Sequence, residues 1–154
     1  MALPALHVIT VGEPKHVFAR AGVAEYETRL ARYGRFRLTH LRDSRRDGAA
    51  GRIEEGEALL AAAGRAYRVA LDPRGGERDS LALTRWLANL ATRGVPEVAF
   101  LIGGPDGLSE PARVGSNELW SLSALTLPHD LALVVVLEAL YRAGSIERGE
   151  PYHR

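Results

Sequence analysis

Chemistry-bearing side chains gather in the last third of the chain, in four short runs. They are Leu101-Ile102-Gly103-Gly104-Pro105-Asp106-Gly107, the stretch SLSALTLPH from Ser121 to His129, Tyr141-Arg142-Ala143, and the closing Pro151-Tyr152-His153-Arg154. A core needs only apolar periodicity. These runs instead join glycine-rich and polar loops to a terminal phenol, imidazole and guanidinium, which together can stack on a base, orient a proton and neutralise charge. The chemistry they suit is a small-molecule pocket beside a reaction site.

Each run also has a plainer reading. Gly103 and Gly104 lack side chains, so a ligand such as an adenine or a ribose can reach their backbone groups, but Gly-Gly-Pro-Asp-Gly taken alone is more often just a turn. No Gly-Lys-[Ser/Thr] follows and the spacing is not GxGxxG, so phosphate cradling is not expected. Ser121, Ser123 and Thr126 alternate with Leu122, Leu125 and Leu127, which suits wrapping an apolar ring while its edges find hydrogen bonds; the alternative is a strand running into a loop. His129 follows Pro128 at the start of a long helix, a place for either a positioned proton acceptor or a structural donor. Terminal residues ordinarily fray, yet this tail follows a well-formed helix.

These groups must be held by the rest of a 154-residue chain, one domain by length, with 46% apolar and 25% charged residues. The longest apolar run, residues 131–137, is far too short to span a bilayer. The first residues read as a strand rather than a secretory signal, so a cytoplasmic protein is expected. With no cysteine, disulfides and thiolate metal sites are excluded, and the histidines show no HExxH spacing, so no metal is expected. Net charge is +1, but between Arg29 and Arg52 eight arginines face only Asp43 and Asp47, an excess of +6. Such a patch suits either a surface that meets phosphates or a solvated helix face.

Alternating and periodic patterns order the elements. Strands are expected at residues 6–11, 36–41, 67–71, 98–102 and 119–122. Helices are expected at 16–33, at 53–63 with Gly64 as C-cap, after an Asp79 or Ser80 cap, for about two turns after Ser109, and at 130–147. Residues 43–51 read as a mobile basic loop. The apolar first half of the last helix has no polar face and must be covered on every side, which points to a subunit interface. Strands alternating with helices, without hairpin signals, make an α/β domain with a mainly parallel sheet. Ligands in such sheets sit beyond the carboxyl ends of the strands, which here selects the loops after residues 71, 102 and 122.

Taken together, LIGGPDGLS, SLSALTLPH, YRA and PYHR resemble the ribosomal large-subunit methyltransferase H family, the smallest members of the SPOUT methyltransferase superfamily. The likeness runs from the first strand to the last residue. It implies one SPOUT methyltransferase domain over residues 1–154, an α/β trefoil-knot fold forming a cytoplasmic homodimer. It further implies S-adenosylmethionine as cofactor and N3 of a pseudouridine in 23S ribosomal RNA as target, the RNA being free or in the assembled ribosome. Cofactor contacts would fall on Leu71, Gly103 and the run Leu122, Ser123, Ala124, Leu125, Thr126 and Leu127. A composite active site would bring His129 and Arg142 near Tyr152, His153 and Arg154, with the tail lent by the partner subunit. His129 is the first choice for assisting deprotonation or holding the base, with Tyr152 and His153 as competitors; Arg142 and Arg154 would stabilise the developing anion or grip phosphates. The rivals are a SPOUT enzyme acting on transfer RNA, a non-catalytic RNA-binding or ribosome-assembly protein, and a nucleotide-phosphate enzyme.

Overall fold

Strand β4, Glu97–Ile102, is apolar at every position from Val98 onward and bounded by Pro96 and Gly103, so both its faces have to be covered. In the computed structural model, which describes residues 2–154, Val98, Phe100 and Ile102 pack into one cluster while Ala99 and Leu101 pack into the other. Strand β1, Ala5–Val11, follows the same alternation, with Leu6 and Val8 on one side and Ile9 and Val11 on the other.

The remaining elements are α1 (Val17–Ala31), β2 (Phe36–Leu41), α2 (Gly48–Ala63), β3 (Tyr67–Gly76), α3 (Ser80–Thr92), α4 (Glu110–Val114), β5 (Glu118–Trp120) and α5 (His129–Glu147). Every strand pair is parallel, and the order across the sheet is β2-β1-β4-β3-β5. Helices α1, α3 and α5 cover one face around Phe100, Leu87, Leu133 and Leu137. Helices α2 and α4 cover the other around Leu59, Leu101 and Ala112. The α/β class expected from the pattern is what forms, and all strands direct their C-terminal ends to one edge. Asp79 caps α3 by accepting from the Ala82 N–H at 2.8 Å, and Ser109 caps α4 through Ala112 at 3.3 Å.

Two elements differ from the pattern-based expectation. Helix α2 begins at Gly48, inside the expected loop, because its own side chains fold back on that segment: Glu55 accepts from the Ser44 N–H at 2.9 Å and Glu54 from the Ser44 hydroxyl at 3.1 Å. Strand β3 continues through the turn-like residues to Gly76, with a register shift against β5. It can do so because Gly75 has no side chain where the Leu119 backbone passes. Within the protomer, α5 buries Leu133, Val136, Leu137 and Leu140, whereas Leu131, Val134 and Val135 stay half-buried.

Candidate active site

The middle of β3 and the loop after β5 border a cavity of about 130 Å³. Leu71, Leu122, Leu125 and Leu127 give it apolar walls, and Ser123 and Thr126 add hydroxyls. The loop is braced from within. The Ser121 hydroxyl donates to the Ser123 carbonyl at 3.0 Å, the Ser123 hydroxyl accepts from the Leu125 N–H at 3.0 Å, and the Ser121 N–H donates to the Gly76 carbonyl at 3.1 Å. Leu125, at 75% exposure, stands at the open mouth. Trp120 also lines the cavity, and its buried indole N–H has no acceptor among the described residues. A larger groove of about 270 Å³ lies by the starts of β1 and β2, around Leu3, Leu6 and Phe36, away from this cavity.

Of the cofactor-contact expectations, Leu71, Leu122, Ser123, Leu125, Thr126 and Leu127 line this cavity, while Ala124 is exposed outside it. Gly103 does not line it either. A Cβ there would sit 2.8 Å from the Gly107 carbonyl carbon, where residues 104 and 107 form a small bridge, so closure of its own loop already requires glycine. Arg113, which sequence reasoning passed over, ties α4 to the loop before it and to β3. It donates to the Leu108 carbonyl at 2.7 Å, to Glu110 at 2.6 Å, and lies 3.7 Å from Asp72.

His129 opens α5 with both ring nitrogens engaged. Nε2 lies 2.7 Å from the Thr10 hydroxyl at the end of β1, and Nδ1 lies 3.1 Å from Asp130. Asp130 in turn accepts from the Lys15 and His16 N–H groups and from His16 Nδ1, each at 2.8 Å. Burial works against ionisation of Asp130, but the bonds from His16, His129 and Lys15 outweigh it and hold the carboxyl well below the usual range. An ionised Asp130 can only accept, so Nδ1 of His129 carries a proton, and in the neutral ring Nε2 accepts from the Thr10 hydroxyl. The sequence singled out His129; nothing in it marked Asp130, whose other partners lie more than a hundred residues earlier.

The tail docks elsewhere on the same helix. The Tyr152 hydroxyl donates to Glu138 at 2.8 Å and lies 3.3 Å from Tyr26, while its ring packs edge-on to Tyr141 at 4.7 Å. Arg142 reaches Glu138 at 2.6 Å, donates to His153 Nδ1 at 3.2 Å and lies 4.7 Å over the Tyr152 ring. Burial first, then the bonds with Tyr26 and Glu138, push the Tyr152 phenol up, so it keeps its proton and serves as a donor. The hydrogen bond to Glu138 raises Arg142 in the same way, securing its charge. Arg154 is exposed.

Arg142 and the tail are therefore brought together, but His129 is not with them. Thirteen residues separate His129 from Arg142 along α5, which at 1.5 Å per residue is about 20 Å. Glu138 and Arg142 fall on the helix face that also carries Leu131, Val134 and Val135.

A family model described as "Predicted SPOUT methyltransferase" matches residues 5–153. A protein of Deinococcus deserti named Ribosomal RNA large subunit methyltransferase H is 53% identical over 149 residues, covering 97% of this chain and 99% of that one. Among solved structures, a methylase family protein from Haemophilus influenzae superposes with a TM-score of 0.61 at 13% identity, over 99% of this chain and 72% of its own. A methyltransferase from Legionella pneumophila, solved with bound cofactor SAM, gives 0.54 at 16% identity, over 92% of this chain and 67% of its own.

Proposed function

This chain belongs to the SPOUT methyltransferase family, and from that premise we propose that it methylates N3 of a pseudouridine in 23S ribosomal RNA, using S-adenosylmethionine and working as a cytoplasmic homodimer. The observation that carries this function is the cavity between residues 71–73 and 120–127. Its leucine walls suit an apolar ring, its hydroxyls suit the ring's edges, and the unpartnered Trp120 N–H leaves a donor unused. These residues fit the cofactor's adenosine end. The enclosed volume is below the roughly 300–1,000 Å³ of small-molecule sites, so the remainder of the cofactor would reach the open mouth at Leu125.

Bound there, the cofactor supplies an activated sulfonium methyl. The chain's own task is alignment, which can be worth about 7–11 kcal/mol, and removal of the N3 proton. Asp130 fixes the His129 tautomer, leaving Nε2 as an acceptor that the Thr10 hydroxyl occupies and an incoming N–H would displace. Tyr152, held protonated, is assigned to donating rather than accepting. Arg142 and Arg154 are assigned to the developing negative charge or to phosphates, as charge-assisted donors. His153 accepts from Arg142 and steers it.

The separation of about 20 Å along α5 supports a composite site, in which one protomer's tail meets its partner's His129. The half-buried Leu131 and Val135 supply an apolar face for such a dimer, Val134 being packed against Gly22 of α1. The trefoil knot belongs to the same reading and rests on the family resemblance alone. Transfer of labelled methyl to purified 70S ribosomes lacking the modification tests the whole. Label should enter 23S RNA at the pseudouridine with the intact chain and not with one truncated after Gly149. A folded dimer that transfers no label in either form would refute the enzymatic function and leave RNA binding.

A further inference from the structure

A second, wider opening lies over the C-terminal ends of β1 and β2, a cleft of about 580 Å³. Its polar lining is Lys15, Arg20, His40 and Arg42 with Glu13 and Asp43. The side chains of Lys15, Arg20 and Arg42 have no carboxylate partner among the described residues. Arg20 is held in place by donating to the Lys15 carbonyl at 2.8 Å. His40 Nδ1 is buried without a hydrogen-bond partner among the described residues. A cleft that keeps cations unpaired and a ring nitrogen unsatisfied is prepared for a polar guest of opposite charge.

The cleft adjoins the chain of bonds around His129. Thr10, bonded to His129, is the register partner of His40 across the β1–β2 pair. The Lys15 N–H that binds Asp130 belongs to the same residue whose side chain enters the cleft. The cleft is therefore lined by the register neighbour of the residue that holds the His129 ring.

We propose that this cleft binds the ribose-phosphate backbone of the target RNA strand beside the base to be methylated; the assignment rests on the RNA-methylating function above. Lys15 and Arg42 grip phosphate, Arg20 adds long-range attraction, and His40, whose Nδ1 has no partner among the described residues, supplies a further polar group. Glu13 and Asp43 would repel a bare phosphate, but as acceptors they suit ribose 2′-hydroxyls, the group by which proteins tell RNA from DNA. Three cations against two carboxylates therefore match an alternating phosphate and sugar better than a free anion.

Lys15→Gln, Arg42→Gln and the double variant test this. Both positions are exposed, and unchanged thermal melting and S-adenosylmethionine binding would verify that the fold and the cofactor cavity persist. Binding of a single-stranded oligouridylate is measured across a salt series, alongside KM and kcat for methyl transfer to 70S ribosomes. With each phosphate-gripping cation removed, the slope of log K against log salt should shrink by about 0.7. KM should rise more than kcat falls, and the matching deoxyoligonucleotide should bind more weakly than the oligouridylate. A double variant with wild-type slope and KM would overturn the proposal. Failure of the wild type to bind the oligouridylate, or its complete displacement by millimolar inorganic phosphate, would overturn it too. A wild type that binds with the expected slopes yet transfers no methyl would refute the enzymatic function while supporting the cleft.

Discussion

Replacing Asp130 by asparagine keeps the shape of the side chain and removes its charge, at a position 6% exposed where four donors converge. The amide offers one acceptor oxygen. If that oxygen stays with the Lys15 and His16 N–H groups, the NH₂ faces His129 Nδ1, and two donors meet. The ring escapes by moving its proton to Nε2, which then donates to Thr10 and can no longer accept. Exchanging charge-assisted bonds for neutral ones and disturbing one buried donor should cost about 2 kcal/mol, a fall in melting temperature of about 4–8 °C for a chain of this size. Methyl transfer should fall by roughly 100- to 10,000-fold if the ring assists proton removal. The pH dependence carries a sign. The folded carboxyl is depressed, so its stabilisation is fully present above the unfolded value of about 3.9 and is lost as pH falls toward the folded one. The carboxyl's contribution to the gap between wild type and variant should thus be smaller by about 1 kcal/mol at pH 3 than at pH 7. Melting followed by circular dichroism at pH 7 and pH 3, with single-turnover transfer at pH 7, reads all three. A variant that melts with the wild type at pH 7, or a gap that stays constant into acid, would refute this account of Asp130.

Three other substitutions separate scaffold from site. Phe100→Ala empties a fully buried position between Trp86 and Trp120 and should cost about 3–5 kcal/mol, read as a lower urea midpoint with an unchanged slope. Leu125→Asp alters a side chain that is mostly exposed yet lines the cavity; stability should move by no more than about 0.5 kcal/mol, while calorimetry should show markedly weaker S-adenosylmethionine binding. Tyr152→Phe keeps the packing on Tyr141 and loses the bonds to Glu138 and Tyr26, about 0.5–1.5 kcal/mol of stability. Methyl transfer should fall further than that loss explains, and wild-type rates would confine the hydroxyl to scaffolding.

Local signals in the chain carried the architecture well. The uninterrupted apolar stretch of β4 and the punctuation at Gly64, Gly94 and Pro96 placed strands and helices because both depend on neighbours a few residues away. The early start of α2 was hidden because it depends on Glu54 and Glu55 reaching back to Ser44, and glycines at 48 and 51 argue locally for a loop. Gly103 reads locally as a ligand contact, and the structure adds a second reason for glycine there, the close approach of Gly107. Asp130 and Arg113 escaped notice because each looks like an ordinary surface charge until the fold brings Lys15, His16, Asp72 and Leu108 against them. Long-range convergence of this kind leaves no periodicity to read.

Helix α5 carries His129 at its start and Arg142 with the docked tail further along, and this makes it a ruler. One residue added to or removed from it shifts everything beyond by about 1.5 Å and turns it through about 100°, enough to swing Arg142 and Glu138 off the face they share with Val134 and Val135. The segment between these groups can therefore exchange side chains, but it cannot change its length. Among functional relatives, insertions and deletions should collect in surface connections such as residues 42–47 and should be missing between the positions of His129 and Arg142, a pattern that an alignment of active enzymes would display.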